Sequence, residues 1–238
     1  MAQTTSSSDR DLEKLGVILA RETDAEVDSL MAEFDRLIEH SKRRDSEEDF
    51  RLLINSAGIS AFAEFEDFFQ RVSVILMLSS ATRLSAIYDI ALPGKLNQTR
   101  VRAAQAKLQT RLNGFIDEAR LLAQVTQCTG TSISTDLVFT PRNIDSLKKA
   151  TEFTASFSAN HGIFLAGQQA FSRKRAVAVL DKDTTNLCRH RMNGQVVPWD
   201  GYFVDPVSGS RWVHPPFVGG ELSPSELFHP CRTVVTPA

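Results

Sequence analysis

The feature that most limits what this chain can fold into is the crowding of its chemically distinctive residues into the stretch 180–232. Two of the three cysteines, three of the five histidines, both tryptophans and six of the nine prolines lie there. Pro, Gly, Trp, Tyr and Val dominate after Cys188, a texture that favours short strands joined by tight turns. The runs 195–199, 201–204, 210–214 and 232–236 are the candidate strands. Asp205-Pro206-Val207-Ser208-Gly209 is a turn signal between two of them. The apolar, β-branched run 176–180 reads as a further strand just upstream.

Everything before that stretch reads as helix. Within 11–42, Val27, Leu30, Met31, Phe34, Leu37 and Ile38 recur every three or four residues and form one apolar stripe, with Glu33, Asp35, Arg36 and Glu39 on the wet side. Asp24 suits an N-cap for this stripe, leaving an earlier helical piece at 12–20. A charged run, 42–49, interrupts, and a short helix is expected at 46–55. The run 60–91 puts Phe62, Phe65, Phe69, Val72, Leu76 and Ser79 on one face, widened by Phe68, Ile75 and Met77, and Pro93-Gly94 stops it. A third long helix, 97–124, turns Val101, Ala104, Leu108, Leu112, Phe115 and Leu122 inward. The Thr/Ser/Gly-rich segment 126–142, with one short strand at 136–140, marks the main boundary. Asn143 then caps a helix to about residue 159, with Ile144, Leu147 and Ala150 inward; Asn160-His161-Gly162 breaks it, and a further helix covers 163–172. The expected organisation is α+β: a tail at 1–10, a helical region at 11–125, and a C-terminal domain at 143–238 that ends in a small β-rich cap.

Hydrophobic residues make up 42% of the chain and charged residues 24%, enough for a sizeable core. A formal net charge of -2 excludes binding of polyanions by bulk charge. The charge is uneven, with 17 acidic and 8 basic residues in 1–70 against 12 and 19 in 71–238. Such asymmetry suits a protein whose two ends meet different partners. Arg173-Lys174-Arg175 is the candidate nucleic-acid contact, whereas Arg100, Arg102, Lys107 and Arg111 lack interleaved aromatics and read as a solvated face. Three cysteines make no disulfide framework and point to a reducing compartment. The most apolar stretch, 72–82, is too short to span a bilayer, and the first residues lack a signal-peptide pattern, so a soluble protein made in the cytoplasm is expected, with no membrane partner.

Thiolate and imidazole are the ligands that zinc prefers. Cys188 with His190, and His229 with Cys231, form two pairs separated by a β-rich loop, and they could close into a Cys2His2 zinc site; Asp181 or His214 are alternative ligands. The spacing is C-x-H and H-x-C rather than the C-x2-C of common zinc ribbons, which argues against all four ligating. The competing reading brings Cys188 and Cys231 together as thiols or a disulfide. A metal-dependent nuclease or hydrolase using Asp181, His190 and His229 is the alternative function, as is Cys188 acting as a nucleophile. The sequence holds no HExxH, phosphate loop or oxyanion-hole glycine motif in support.

In order, the stretch reads Leu180-Asp181-Lys182-Asp183-Thr184-Thr185-Asn186-Leu187-Cys188, Asn193-Gly194-Gln195-Val196-Val197, His214-Pro215-Pro216 and His229-Pro230-Cys231-Arg232. This succession resembles the phage Mu F-type minor head protein family, the phage head morphogenesis domain. The resemblance covers about 55 residues strongly, and the preceding helix and basic run also suit it. Asp183 stands where the family often has Arg, Thr233 where a second cysteine is common, and no residue separates Pro230 from Cys231. The resemblance implies a structural component of the virion rather than an enzyme. Such a protein associates with portal and capsid proteins at the head interior and serves head assembly and DNA packaging or ejection. It implies that Asp181, Thr184, Gly194, Pro215, Pro216 and Arg232 are structural motif positions, and that the basic part of the chain lies near packaged DNA and contacts it without sequence readout.

Overall fold

The computed structural model describes residues 7–42, 59–129, 140–180, 184–217 and 231–238. Helices form the body: α1 (Ser7–Lys42), α2 (Ile59–Gln70), α3 (Leu76–Tyr88), α4 (Thr99–Thr129) and α5 (Pro141–Gly167). The strands follow: β1 (Arg173–Ala178), β2 (Val196–Pro198), β3 (Phe203–Val204), β4 (Arg211–Trp212) and β5 (Thr233–Pro237). The expected α+β architecture, a helical body and a small antiparallel cap, is what the chain adopts. Of the expected tail at 1–10, residues 7–10 are the first turn of α1 and the rest lies outside the described residues, as do the helix at 46–55 and all but residue 140 of the strand at 136–140.

The apolar stripe of α1 packs as its spacing dictates. Val27, Met31, Phe34 and Ile38 are buried against Phe65, Phe68 and Phe69 of α2. The helix does not begin at Asp24, however. It runs unbroken from Ser7 because the stripe continues backwards with a different partner: Leu19 and Ala20 are buried with Val234 and Val235 of β5. Asp24 is therefore a mid-helix residue, and its carboxylate accepts from Arg232 of the cap.

A π-helical turn (Arg71–Ile75) joins α2 to α3 without a break. Such a turn inserts one residue into the helical count and rotates everything after it. The Ser73 hydroxyl donates to the Phe69 carbonyl at 2.6 Å inside it. The rotation explains why Val74 is buried while Ile75, expected to face inward, is 48% exposed.

Helix α5 is the axis of the molecule. Thr140, not Asn143, is its N-cap: the Thr140 hydroxyl accepts from the Asn143 N–H, and Pro141 takes the first helical position. Asn160-His161-Gly162 does not break it. Glycine is required at 162 by close approach, since a Cβ there would overlap the Met77 carbonyl of α3. Thr151, Thr154 and Ser158 are buried, but each hydroxyl donates to the carbonyl four residues back, so none of these three is stranded.

In the cap, β1 lies between β2 and β5 in an antiparallel sheet, with Arg175 opposite Val196 on one side and Thr236 on the other. Strands β3 and β4 form a hairpin closed by the turn at Asp205. One apolar cluster takes Leu19 and Ala20 from α1, Ala81 and Leu84 from α3, Ile163 and Ala166 from α5, and Ala176, Phe203, Trp212, Phe217 and Val235 from the cap. The segment 126–142 therefore does not separate two cores. Among the described residues no helix is long and apolar enough to cross a membrane.

Candidate functional site

The motif residues assemble where the last three turns of α5 meet the cap. Thr184 is buried, and its hydroxyl donates to the Val179 carbonyl at 3.0 Å, tying the motif to the end of β1. Met192 to Gln195 form a tight turn. Asn193 has φ -59° and ψ 129°, Gly194 has φ 79°, and the Gln195 N–H donates to the Met192 carbonyl. These are type II angles, and the left-handed position requires glycine. The Gly194 N–H donates to the Ala176 carbonyl at 2.8 Å, and the Asn193 side chain accepts from the Ala178 N–H at 2.9 Å. The Asn-Gly pair thus docks a helical turn (Leu187–Met192) against β1. Arg191 of that turn reaches both carboxylate oxygens of Asp205, fixing the β3–β4 hairpin. Asp205 also accepts from the Val207 and Ser208 N–H groups, so it serves both the turn and the ion pair. Pro215 and Pro216 are buried and joined by a cis peptide, just after His214.

Cys188 and Cys231 come together as free thiols, with Sγ atoms 3.5 Å apart. Both are buried, and the Phe217 N–H points at the Cys231 sulfur at 3.4 Å. The hydrogen bond from Cys231 favours a thiolate on Cys188, while the same bond and burial push the Cys231 thiol up. Cys188 therefore loses its proton first. His190 does not join them. The segment is a helical turn, in which residues two apart point to opposite sides, and His190 is exposed where Cys188 is buried. Asp181 and His229 lie outside the described residues, and His214, the other alternative ligand, pairs with His161 instead and forms no ligand group with the two cysteines. Two thiolates bound to one zinc at ~2.3 Å would be about 3.8 Å apart in a tetrahedral site, so Cys188 and Cys231 suit two vertices. Among the described residues no group of three or more His, Cys, Asp or Glu side chains completes such a site.

The basic run does not form one patch. Arg173-Lys174-Arg175 is the first half of β1, so its side chains alternate. Arg173 is exposed, Arg175 pairs with Glu13 of α1 at 3.0 Å, and Lys174 is fully buried. Its Nζ sits 4.7 Å from the Phe164 ring centroid and 5.5 Å from that of Phe203, and burial lowers its pKa to about 8. A lysine so placed cannot reach phosphates. Arg232, in contrast, links the motif to the helices. It bonds Asp24 at 2.9 Å and Asp28, both of α1, and lies 3.4 Å from Glu152 of α5. Burial opposes the guanidinium charge, but the bonds to Asp24 and Asp28 outweigh it and hold it protonated. Burial raises the Glu152 carboxyl, and Arg232 only partly offsets this.

The residues that receive the cap were not singled out in the sequence. The Ser156 hydroxyl donates to the Cys231 carbonyl at 2.9 Å. The Asn160 amide donates to the Thr233 carbonyl at 3.1 Å and its oxygen accepts from the Val235 N–H at 2.7 Å. His161 Nδ1 meets His214 Nε2 at 3.1 Å. The Trp199 indole N–H donates to the Phe164 carbonyl at 3.0 Å. The available signal was the small, polar run Thr154-Ala155-Ser156-Phe157-Ser158-Ala159-Asn160-His161-Gly162, which is too polar for a stripe facing apolar side chains alone. Comparison with family models, with curated proteins and with solved structures gives no match.

Proposed function

We propose that the chain is a minor head protein of the phage Mu F type, a structural component of the virion that acts at the portal and capsid interior in head assembly and in DNA packaging or ejection. The observation that carries this reading is the ordered motif from Leu180 to Arg232, whose described residues have linked structural roles. Thr184, Asn193, Gly194, Cys188, Cys231 and Arg232 are engaged in building the cap and fastening it to α1 and α5. A motif used in this way suits an assembly module. The exposed acidic face of α1 offers a surface to a portal or capsid protein. Arg173, at the exposed start of β1, and the cationic face of α4 are what remain for sequence-independent contact with packaged DNA. If the cap holds zinc, Cys188 and Cys231 supply two ligands, and the metal fastens the helical turn to the start of β5.

The test is co-expression with portal and major capsid proteins, followed by particle purification. Copies of the chain in portal-containing particles are expected. Recovery only as free protein would overturn the reading, and cleavage of DNA with added Mg2+, Mn2+ or Zn2+ would replace it with a hydrolase. Mass spectrometry of the purified protein decides the metal: about one zinc per chain with no titratable Cys188 or Cys231 is the outcome a structural zinc requires.

A further inference from the structure

The contact between α5 and the cap contains a pair of buried histidines, His214 of the His214-Pro215-Pro216 segment and His161 of α5, whose pairing no motif position explains. His161 is 4% exposed and His214 1%. Their rings meet edge to edge, Nδ1 of His161 to Nε2 of His214, at 3.1 Å. At the far side His214 Nδ1 is 2.6 Å from the Pro215 carbonyl. The His161 ring also faces the Asn97 carbonyl, which precedes α4. With its Nδ1 taken by His214, the Nε2 edge is the one left for that carbonyl. Phe157 and Phe164 cover both rings, with centroids 5.1–6.5 Å away.

Counting protons exposes a conflict. Two carbonyls at the ends can only accept, so the row carbonyl, His161, His214, carbonyl has three links to fill. Two neutral imidazoles carry two N–H groups, and one link must go without. A third proton would complete the row but place a cation in a buried site. The charged groups whose fields reach the pair are Arg100 of α4, felt by both rings, and Lys174 of β1, felt by His214, and both repel a proton. Burial acts in the same direction and is the largest influence on each ring, lowering His161 to about 4 and His214 to about 3. The row is therefore left one proton short in neutral solution.

We propose that His161 and His214 form an acid-sensitive latch between α5 and the cap, closed while both rings are neutral and released when solvent protons charge them. The sign follows from linkage. Both rings have lower pKa values folded than the ordinary 6.5, so the open form binds more protons between about pH 6.5 and 4, and closure weakens as pH falls through that range. Glu152 at the same joint has its pKa raised, so its contribution grows on acidification and cannot be the source of the loss. From pH 7 to pH 5 each ring freed by opening favours the open form about 20-fold.

Hydrogen exchange of full-length protein, corrected for intrinsic rates, tests this on peptides covering 156–164 and 210–217. The opening constant is expected to rise about 20-fold or more from pH 7 to pH 5, with a smaller rise at the α1–α2 contact. The double variant His161→Gln/His214→Gln, which keeps amide hydrogen bonding without a titrating ring, should lose that dependence. Equal dependence in wild type and variant would overturn the latch. Should the variant not fold, 13Cε1 NMR of the wild-type histidines decides: His161 and His214 are expected to stay neutral to pH 5, and titration of either near 6.5 in the folded protein would overturn it.

Discussion

Asn160 of α5 holds Val235 of β5 by its backbone, accepting the Val235 N–H at 2.7 Å while its amide donates to the neighbouring Thr233 carbonyl at 3.1 Å. A helix side chain thus supplies the pairing that another strand would give the free edge of β5. Asn160→Leu removes both bonds and strands two buried backbone groups, each costing about 1–3 kcal/mol. A loss of at least ~2 kcal/mol in urea unfolding is expected, with exchange protection falling first at residues 233–237.

Gly162 and Gly114 should respond oppositely to alanine. At Gly162 the added methyl collides with the Met77 carbonyl, and neither helix backbone can give way cheaply. Gly162→Ala is expected to destabilise by about 3 kcal/mol or more. At Gly114, inside α4, a Cβ meets nothing within 4 Å, and Gly114→Ala should stabilise by about 0.5–1 kcal/mol. Thermal melts of the two variants make the comparison.

Lys174→Met should raise stability at neutral pH. The folded pKa of Lys174 is lowered from 10.5 to about 8, so the unfolded chain binds the extra proton between those two values. Wild-type stability therefore rises with pH between about 8 and 10.5. The depression corresponds to about 3 kcal/mol, of which contact with the Phe164 and Phe203 rings returns about 1–2. The variant is expected to gain about 1–2 kcal/mol at pH 7 and to show little gain at pH 10.5 in denaturant titrations. Any affinity for DNA should be unchanged by it.

Arg232→Met leaves Asp24, Asp28 and Glu152 facing one another without their cation. A loss of about 2–3 kcal/mol at pH 7 is expected, discounted from a fully buried pair because Asp28 is open to solvent. Glu152 already has a raised pKa and rises further without Arg232. A raised carboxyl favours the fold while protonated, so the deficit should shrink as the pH is lowered from 7 towards 4, as unfolding of wild type and variant in parallel would show.

What could be read from the sequence follows the reach of each physical rule. The stripe of α1 and the Phe65–Phe69 face were visible because three-to-four spacing has one cause. The Asp205 turn was visible because only certain residues accept such backbone angles, whereas Gly194 stood out only through the family resemblance. Ile75 was misplaced because a single π-helical turn shifts the phase without a sequence signature. Asn160-His161-Gly162 was taken for a break because the rule for glycine and asparagine in helices is local, whereas Met77 and Val235 lie far off in sequence. Lys174 was taken for a surface charge for a related reason: three adjacent basic residues look like a patch until the strand alternation is known. Of the site, the meeting of Cys188 and Cys231 could be foreseen as one of two alternatives; the pairing of His161 with His214 could not.

The bond between Arg232 and Asp24 joins positions 208 residues apart, and Gly16, two turns earlier in α1, packs against Thr236. The two ends of the described chain are therefore sewn to each other, and the peptide between them is not what keeps them together. Cut once between α4 and α5, the molecule would fall into two pieces that share extensive interfaces, α3 with α5, α4 with α5 and α1 with β5. Such halves, expressed separately, should find each other and rebuild the fold, which makes this architecture a natural split reporter.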